Sequence, residues 1–367
     1  MKSIDFECSI RVKPGKENVI EVIDQRFLPF RTGLFEIRNE EDAAFAIREM
    51  VVRGAPLIGV TAAFGMYLAV RNCGKESYME ALDRAETLLN STRPTAINLF
   101  YATRRMKAAV EPGLEGDKVS GILFREAAAL MEEEIEACRK IGVHGLVLIK
   151  EVFRKNGGKT VQVLTHCNAG WLACVKWGTA TAPIYMAHQQ GIPLHVWVDE
   201  TRPRNQGARL TAYELGMAGI PHTVIPDNAG GHLMQHGLVD LVITGSDRTT
   251  ANGDVANKIG TYLKALAAYD NRIPFYVALP VSSIDRELEE GVQNIPVEER
   301  SSDEVHFTEG WTGSEIGRVR VTPFESRAAN YGFDVTPARL VTRLITERGI
   351  CPATREGISS LFTPEGA

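Results

Sequence analysis

The chain has 367 residues, of which 44% are hydrophobic and 24% charged, and this is typical of a globular protein with roughly two domains. Its 41 basic and 46 acidic residues leave a net charge of −5, which argues against bulk nucleic-acid binding because that depends on surplus lysine and arginine. No segment approaches the roughly 20 apolar residues of a membrane span, and acidic residues near the N-terminus argue against a signal peptide. We therefore expect a cytoplasmic protein of enzyme size that binds neither membranes nor nucleic acids.

The first 140 residues mix short patterned segments with helical ones. Asn39–Met50 begins with acidic residues and continues with apolar residues at helical spacing, which predicts an amphipathic helix. The stretch 51–70 is apolar and rich in glycine and alanine, so it must be buried in close packing. Pro94 indicates the start of a further helix, for which Ser91 or Thr92 is the candidate cap.

A long helix predicted over Val119–Lys140 is able to link two domains. It is rich in alanine, glutamate, leucine and methionine. We place the domain boundary just after it, which divides the chain into residues 1–143 and residues 144–367. The N-terminal domain is then the smaller one, with a mostly helical α+β fold.

Beyond this boundary, five apolar segments alternate with helical ones. Alternation of this kind predicts an α/β fold with a Rossmann-like parallel sheet that is covered on both faces. The chain has neither the GxGxxG pattern nor the GxxxxGK[ST] pattern, which argues against nicotinamide-dependent redox chemistry and against an ATPase. The five predicted strands lie within residues 160–167, 193–200, 221–228, 238–247 and 273–280.

Reactive and polar side chains follow four of these strands. Ligands of open parallel sheets bind outside the carboxyl ends of the strands, so these positions form the candidate site. Cys167 lies where the first strand ends and a glycine-containing turn begins. A nearby cation or helix N-terminus would make its thiol easier to ionise. His166 points to the opposite face of the strand, so we expect it to serve packing or hydrogen bonding rather than a dyad with Cys167.

The six cysteines, at positions 8, 73, 138, 167, 174 and 351, are predicted to be free thiols. None lies in a CxxC pair, and their spacing matches no common zinc pattern.

A candidate anion site follows the fourth strand. Asp247 ends this strand, residues 252–254 (Asn-Gly-Asp) predict a turn, and Asn257 and Lys258 then fall at the predicted start of the next helix. A helix N-terminus together with a lysine favours a phosphate over an ordinary exposed turn. Arg53 and Arg93 each precede small or rigid residues, and either a ligand contact or a surface salt bridge would account for them.

Several of these segments together resemble the methylthioribose-1-phosphate isomerases of methionine salvage. The matching segments include VVRGAPLIGV, STRPTAINLF, LTHCNAG, VDETRPRNQGARLTAYEL, TGSDRTTANGDVANKIGTY and FDVTPARLVTRLITERG, spread in order from Arg53 to Gly349. The resemblance implies a smaller N-terminal domain joined to a Rossmann-like catalytic domain, usually as a homodimer. It also implies conversion of 5-methylthioribose 1-phosphate to 5-methylthioribulose 1-phosphate, which requires no metal and no nicotinamide cofactor.

The resemblance also implies which residues form the site. The catalytic residues fall on Cys167 and Asp247, with Asp247 as the proton donor to the ring oxygen and Cys167 at the C1–C2 edge of the sugar. The substrate contacts fall on Arg53, Gly54, Ala55, Arg93, Gln206, Asn257 and Lys258.

Three features depart from the usual pattern of the family. Trp171 and Trp177 are bulky where smaller residues are common, and Ser246 replaces a more usual alanine before Asp247. Because these changes leave Cys167 and Asp247 in place, they affect the expected substrate rather than the expected reaction. 5-Deoxyribose 1-phosphate and ribose 1,5-bisphosphate remain alternative substrates, and a non-catalytic regulatory subunit, as in relatives from translation initiation, remains an alternative function.

Overall fold

The computed structural model describes residues 8–74, 77–93, 96–111, 113–114 and 116–363. Pro94, the expected start of a helix, lies outside the described residues, and Ser91 ends the preceding helix instead of capping the next one. No described helix is both long enough and apolar enough to cross a membrane.

The chain begins with a small antiparallel sheet and four helices. The sheet has the order β1-β2-β3. The Asn39 side chain accepts a hydrogen bond of 2.7 Å from the backbone N–H of Asp42, so the predicted amphipathic helix α1 begins with a regular cap. These elements are β1 (Ile10–Lys13), β2 (Lys16–Ile23), β3 (Leu34–Ile37), α1 (Glu40–Arg48), α2 (Ala55–Asn72), α3 (Tyr78–Asn90) and α4 (Ile97–Ala108).

Helix α2 forms the centre of this part of the molecule. Sixteen of its residues are buried, as the sequence predicts. Its glycines allow neighbouring helices to approach closely, because a Cβ on Gly65 would lie 2.8 Å from the Cβ of Ala43 in α1. The helix is therefore held in place on all sides, and its N-terminus has a fixed position.

Helix α5 (Gly116–Lys155) connects two hydrophobic cores. Its first half, with Leu123 and Leu130, packs into the core of the N-terminal helices. Its second half, with Ile141 and Ile149, packs against the large sheet. The helix extends 15 residues beyond its predicted end, so a boundary after residue 143 would fall inside it.

A seven-stranded sheet forms the second core. Its order is β16-β15-β10-β7-β4-β5-β6, with all pairs parallel except that of β15 and β16. All five predicted strands are present, and two more join at one edge. The strands are β4 (Val161–Thr165), β5 (Leu194–Asp199), β6 (His222–Ile225), β7 (Leu241–Thr244), β10 (Phe275–Ala278), β15 (Arg343–Thr346) and β16 (Gly349–Cys351).

Both faces of this sheet are buried. In β7, Leu241 and Ile243 pack with α5 and α6, while Val242 between them packs with α8 and α9 on the other side. Successive side chains of a strand point to opposite faces, so a strand covered on both sides must be apolar throughout. The covering helices are α6 (Ala182–Gln189), α7 (Ala212–Met217), α8 (Ala229–Gln235) and α9 (Thr261–Asp270).

A second sheet, of order β11-β8-β9-β14, corrects one prediction. Asn257 and Lys258 lie on β9 and not at the start of a helix, since α9 begins only at Thr261. The tight turn at Gly253, with φ of +94°, returns the chain as a hairpin, which pairs the residues after it with β8. The strands are β8 (Arg248–Thr250), β9 (Val255–Lys258), β11 (Ile284–Asp285) and β14 (Phe333–Thr336).

The remaining elements are short. Strands β12 and β13 form an antiparallel two-stranded sheet that is not hydrogen-bonded to the other three sheets of the described residues. The elements are α10 (Gly291–Asn294), α11 (Asp303–His306), β12 (Phe307–Trp311), β13 (Ile316–Arg320) and α12 (Arg355–Ser360).

Replacement of Glu134 on α5 by glutamine is expected to stabilise the protein at pH 8 more than at pH 5. Burial raises the pKa of Glu134 to about 7, from the ordinary 4.5. Between these two pH values the folded protein holds more protons than the unfolded chain, so this residue lowers the free energy of unfolding as pH rises. The rise in pKa corresponds to a loss of at most about 3 kcal/mol in the free energy of unfolding at pH 8.

Thermal melting of both proteins at pH 5 and pH 8 tests this prediction. The matched control is Glu132→Gln, an exposed neighbour on the same helix, whose effect on Tm is expected to be small at both pH values. An equal change in Tm for Glu134→Gln at the two pH values would contradict the prediction.

Candidate active site

All nine residues predicted to form the site line one cleft. The cleft lies at the carboxyl ends of β4 and β7, which are neighbours in the large sheet. Cys167 follows β4 by two residues, and Asp247 follows β7 by three. The structure therefore brings together Cys167, Asp247, Arg53, Gly54, Ala55, Arg93, Gln206, Asn257 and Lys258, although their chemical roles stay predictions.

Cys167 occupies a strained backbone conformation. Its φ is +65°, a region that residues with a side chain rarely adopt. Two threonine hydroxyls hold this conformation: Thr201 Oγ1 accepts the Cys167 N–H at 2.9 Å, and Thr211 Oγ1 donates to the Cys167 carbonyl at 2.7 Å. Strain maintained by the surrounding structure is common where a side chain must be aimed at a ligand.

The Cys167 thiol lies between opposing electrostatic effects. Burial raises its pKa, while Arg53 and Lys258 act to lower it. A nitrogen of the Arg53 guanidinium lies 3.9 Å from the sulfur. The thiol is therefore mainly protonated, with two cations that would stabilise a thiolate.

Asp247 has partial access to the cleft, yet protein atoms surround its carboxyl group. This burial raises the pKa of Asp247, and the cations Lys258, Arg93 and Arg53 oppose the rise. The Asp247 N–H donates to the Ala256 carbonyl at 3.0 Å, which joins the end of β7 to β9. The backbone of Asp247 is thus fixed, and its carboxyl group accepts a proton more readily than an exposed aspartate does.

The N-terminus of helix α2 opens into the cleft through Gly54 and Ala55. Gly54 has φ of +90°, and a Cβ there would lie 2.2 Å from the Ala173 carbonyl oxygen, so only glycine fits. No acidic residue lies in the first turn of α2. The positive end of an 18-residue helix therefore faces the cleft uncompensated and favours an anion.

Lysine and arginine side chains strengthen this anion site. Burial lowers the pKa of Lys258, whose Nζ donates to the Gly332 carbonyl at 2.8 Å and lies 4.5 Å from the centre of the Phe333 ring. Burial also lowers the pKa of Arg93, and its Nε lies 3.7 Å from Glu298 Oε2, an ion pair too long for a hydrogen bond. Buried donors of this kind favour a bound anion that would satisfy them.

Two amide side chains of the predicted site, Asn257 and Gln206, also line the cleft. Asn257 Nδ2 donates to Thr261 Oγ1 at 3.0 Å, which fixes the amide at the start of α9. Gln206 is buried, and its Oε1 has no partner within the described part of the chain. An unpaired buried acceptor is suited to a hydroxyl group of a ligand.

His166 serves hydrogen bonding, as the strand alternation predicts. Its Nδ1 lies 2.9 Å from Asp199 Oδ2, and its Nε2 lies 2.8 Å from the Ile259 carbonyl. His166, Asp199 and Asp227 offer ligand atoms within 4.8 Å of one another, which is a spacing that suits a metal. Lys264 lies in this cluster, however, with its Nζ 3.2 Å from Asp199 Oδ2, and it already supplies the positive charge.

Sequence comparisons show the family of the chain. Residues 51–353 match the initiation factor 2 subunit family. Methylthioribose-1-phosphate isomerase from Desulfosudis oleivorans is 58% identical over 346 residues, which cover 94% of each chain. The enzyme of the same name from Methylorubrum populi is 59% identical, over 94% of this chain and 93% of the relative. The chain belongs to the methylthioribose-1-phosphate isomerase family.

Solved structures agree with this family and with its relation to translation factors. The 5-methylthioribose 1-phosphate isomerase from Pyrococcus horikoshii OT3 has a TM-score of 0.83 and 38% identity, over 98% of this chain and 96% of that chain. A structure described as translation initiation factor eIF-2B, subunit delta, from A. fulgidus has a TM-score of 0.78 and 38% identity, over 97% and 99%. The predicted mixed α/β fold with a parallel sheet is confirmed; the division at residue 143 stays a prediction.

Neither Trp171 nor Trp177 belongs to the lining described for the cleft. Trp171 is buried in the core that packs against the large sheet, and the expected effect of the two tryptophans on substrate choice stays a prediction. Residues that the sequence did not single out form the apolar part of the lining instead: Met50, Ile58, Ala96, Ile295, Pro296 and Phe333. Because these residues come from distant segments of the chain, no local sequence pattern identified them as lining residues.

Proposed function

We propose that this member of the methylthioribose-1-phosphate isomerase family converts 5-methylthioribose 1-phosphate to 5-methylthioribulose 1-phosphate, as the names of its relatives indicate. The observation that carries the proposal is one cleft in which a carboxyl group of raised pKa, Asp247, and a thiol, Cys167, share two neighbouring cations, Arg53 and Lys258, while Arg93 acts on Asp247 as well. A phosphorylated sugar supplies the charge that these cations require, and its isomerisation needs an acid that is neutral near pH 7.

The phosphate site lies between the N-terminus of α2 and the cationic side chains. Arg53, Arg93 and Lys258 line the cleft together with Gly54 and Ala55. A phosphate dianion accepts hydrogen bonds from backbone N–H groups at a helix N-terminus and from guanidinium and ammonium groups. Binding would therefore satisfy the Arg93 donor and the positive end of α2 at the same time.

The phosphate on C1 prevents the substrate from opening spontaneously to an aldehyde. The enzyme must protonate the ring oxygen while the bond between C1 and that oxygen breaks, and Asp247 is the proposed donor. A bound dianion would also offset the cations that lower the pKa of Asp247, which keeps the carboxyl group protonated in the complex. Hydrogen then moves from C2 to C1 beside Cys167, which acts as base or stabilises the developing charge.

The apolar lining favours a substrate with an apolar 5-substituent. Met50, Ile58 and Ile295 offer no charge that would hold a second phosphate, and Arg248, a further cation of the lining, is already paired with Asp285. This supports 5-methylthioribose 1-phosphate over ribose 1,5-bisphosphate. 5-Deoxyribose 1-phosphate lacks only the methylthio group, a difference of about 1–3 kcal/mol in a hydrophobic pocket. We therefore expect turnover of both sugars, with the methylthio sugar preferred.

Conversion of 5-methylthioribose 1-phosphate by the purified protein tests the proposal, with 5-deoxyribose 1-phosphate and ribose 1,5-bisphosphate assayed in parallel. The expected result is formation of the ketose phosphate with the highest kcat/KM for the methylthio sugar. Absence of turnover of all three would favour a non-catalytic subunit, like the relative named as a translation factor. The presence of Cys167 and Asp247 in one cleft supports the enzyme.

Lys258→Ala and Arg93→Ala are each expected to raise KM by about ten- to hundredfold, because a hydrogen bond to a charged group contributes about 1.5–3 kcal/mol. The effect on kcat should be smaller than the effect on KM. Steady-state kinetics measure both values, with Lys140→Ala, an exposed lysine on α5, as the control. An unchanged KM in both variants would show that the phosphate binds elsewhere.

The other expected properties belong to the same proposal. We propose that the enzyme acts as a cytoplasmic homodimer without a cofactor, and that it binds no nucleic acid. The resemblance to the family supports the dimer, and the net charge of −5 supports the absence of nucleic-acid binding. Light scattering of the purified protein measures the oligomeric state.

A further inference from the structure

Asn168, next to Cys167, joins a buried carboxyl group to the arginine beside the thiol. Arg53 Nη1 donates to Asn168 Oδ1 at 2.5 Å, and Arg53 Nη2 donates to the Asn168 carbonyl at 2.9 Å. Two nitrogens of the guanidinium thus donate hydrogen bonds to the two oxygens of Asn168. These two hydrogen bonds fix the plane of the guanidinium and place Nη2 at 3.9 Å from the Cys167 sulfur.

The orientation of the Asn168 amide is fixed from the other side. Its Nδ2 donates to Glu214 Oε1 at 3.0 Å and to Thr211 Oγ1 at 3.1 Å. Arginine only donates hydrogen bonds, so the amide oxygen must face Arg53 and the amide nitrogen must face Glu214. A flip of the amide would place its NH2 group against the donors of Arg53.

Glu214 in turn is fully buried and held by four donors. Besides Asn168, it accepts hydrogen bonds from the N–H groups of Trp171 and Leu172 and from the Tyr185 hydroxyl, at 2.8–3.2 Å. Burial raises the pKa of Glu214, and its hydrogen bonds and Arg53 oppose that rise. A Cβ on Gly170 would lie 1.6 Å from Glu214 Oε2, so the glycine of the CNAG segment makes room for this carboxyl group.

We infer that Asn168 is a positioning residue, oriented by Glu214, that holds the Arg53 guanidinium beside the Cys167 sulfur. The charged groups that face the sulfur are Arg53, Lys258 and Asp247, and the Asn168 N–H also favours the thiolate. Of the three charged groups, Arg53 is the one that donates hydrogen bonds to Asn168. Loss of the Asn168 side chain therefore releases one of the two cations that favour the thiolate, and leaves Lys258 in place.

The inference deepens the proposed function, but its test uses no substrate. The rate of alkylation of Cys167 by iodoacetamide is measured against pH, with the modified peptide identified by mass spectrometry because other cysteines also react. Asn168→Ala is expected to move the midpoint of this profile to higher pH by at least about half a unit, since a nearby opposite charge favours the ionised form. Arg53→Gln is expected to produce a shift of similar size in the same direction.

The double variant decides whether Asn168 acts through Arg53. If it does, Asn168→Ala combined with Arg53→Gln shifts the midpoint no further than Arg53→Gln alone, because coupled residues are not additive. Additive shifts, or an unchanged midpoint in Asn168→Ala, would overturn the inference. Tyr185→Phe is the matched control, since it removes one donor to Glu214 and leaves the contacts of Asn168 intact; its midpoint should equal that of the wild type.

Folding is checked by thermal melting, and Asn168→Ser serves as a second variant with a smaller loss of polar contacts. If neither variant folds, Asn168 has a structural role only and the inference is rejected. The result is independent of the proposed activity, because the alkylation profile would stand even if the wild-type protein converted none of the three sugars.

Discussion

Replacement of Asp247 by asparagine is expected to lower kcat by about 100- to 10,000-fold, the range that general acid catalysis contributes. Asparagine has nearly the same shape, but it has no proton to give to the ring oxygen. KM and substrate affinity should change little, because the phosphate is held by other groups. Since the variant turns over only slowly, calorimetry can measure its affinity for the true substrate before much of that substrate is converted.

The pH dependence of kcat provides a second measurement for the same residue. Burial raises the pKa of Asp247, and only the protonated form is a donor. Activity of the wild type should therefore be retained at low pH and fall as pH rises through the pKa of this carboxyl group in the complex. The residual activity of Asp247→Asn should lack this decline. A variant that keeps more than about a tenth of the wild-type kcat would exclude Asp247 as the acid.

The large sheet could be predicted from the sequence because its strands are short apolar segments separated by helical ones. Each face is covered, so β7 and β10 are apolar at nearly every position, and the pattern is readable without knowledge of the pairing. The second sheet could not be predicted in this way. Its strands have only two to four residues, and β9 pairs with β14, which lies about 75 residues later in the chain.

The misplacement of Asn257 and Lys258 follows from this limit. The residues before α9 have helical composition, and only the pairing of β9 with β8 and β14 makes them extended. The predicted anion site stays a prediction, and the helix whose positive end faces the cleft is α2 and not α9. Because of this long-range pairing, the two residues belong to a strand and not to a helix, but they still line the cleft.

The groups that support the site left even less signal in the sequence. Thr201 and Thr211 hold the Cys167 backbone, and Glu214 orients Asn168. A threonine or glutamate in a helical or loop segment is ordinarily exposed, and only the tertiary structure shows that these three are buried against β4. Cys167 and Asp247, by contrast, were selected by their places at strand ends and by the family resemblance.

Replacement of Cys167 by serine is expected to abolish most of the turnover and to leave the fold and substrate binding unchanged. Serine is nearly isosteric and faces the same backbone cost at φ of +65°, with the same backbone hydrogen bonds to Thr201 Oγ1 and from Thr211 Oγ1. Its hydroxyl, however, ionises far less readily than a thiol, so Arg53 and Lys258 have no thiolate to stabilise. We expect kcat to fall by about 100-fold or more, the lower end of the contribution from acid–base catalysis.

Cys174 provides a matched control, because it is a second buried cysteine in the lining of the same cleft. Cys174→Ser should keep kcat close to that of the wild type, since its contacts are with Cys138 and Ala173 rather than with a cation. A substrate with deuterium at C2 then tests how the hydrogen moves. Loss of the label to water would show transfer as a proton and support Cys167 as the base, whereas complete retention at C1 is expected for a hydride shift in which Cys167 stabilises charge. Wild-type kcat in Cys167→Ser would remove the thiol from the mechanism altogether.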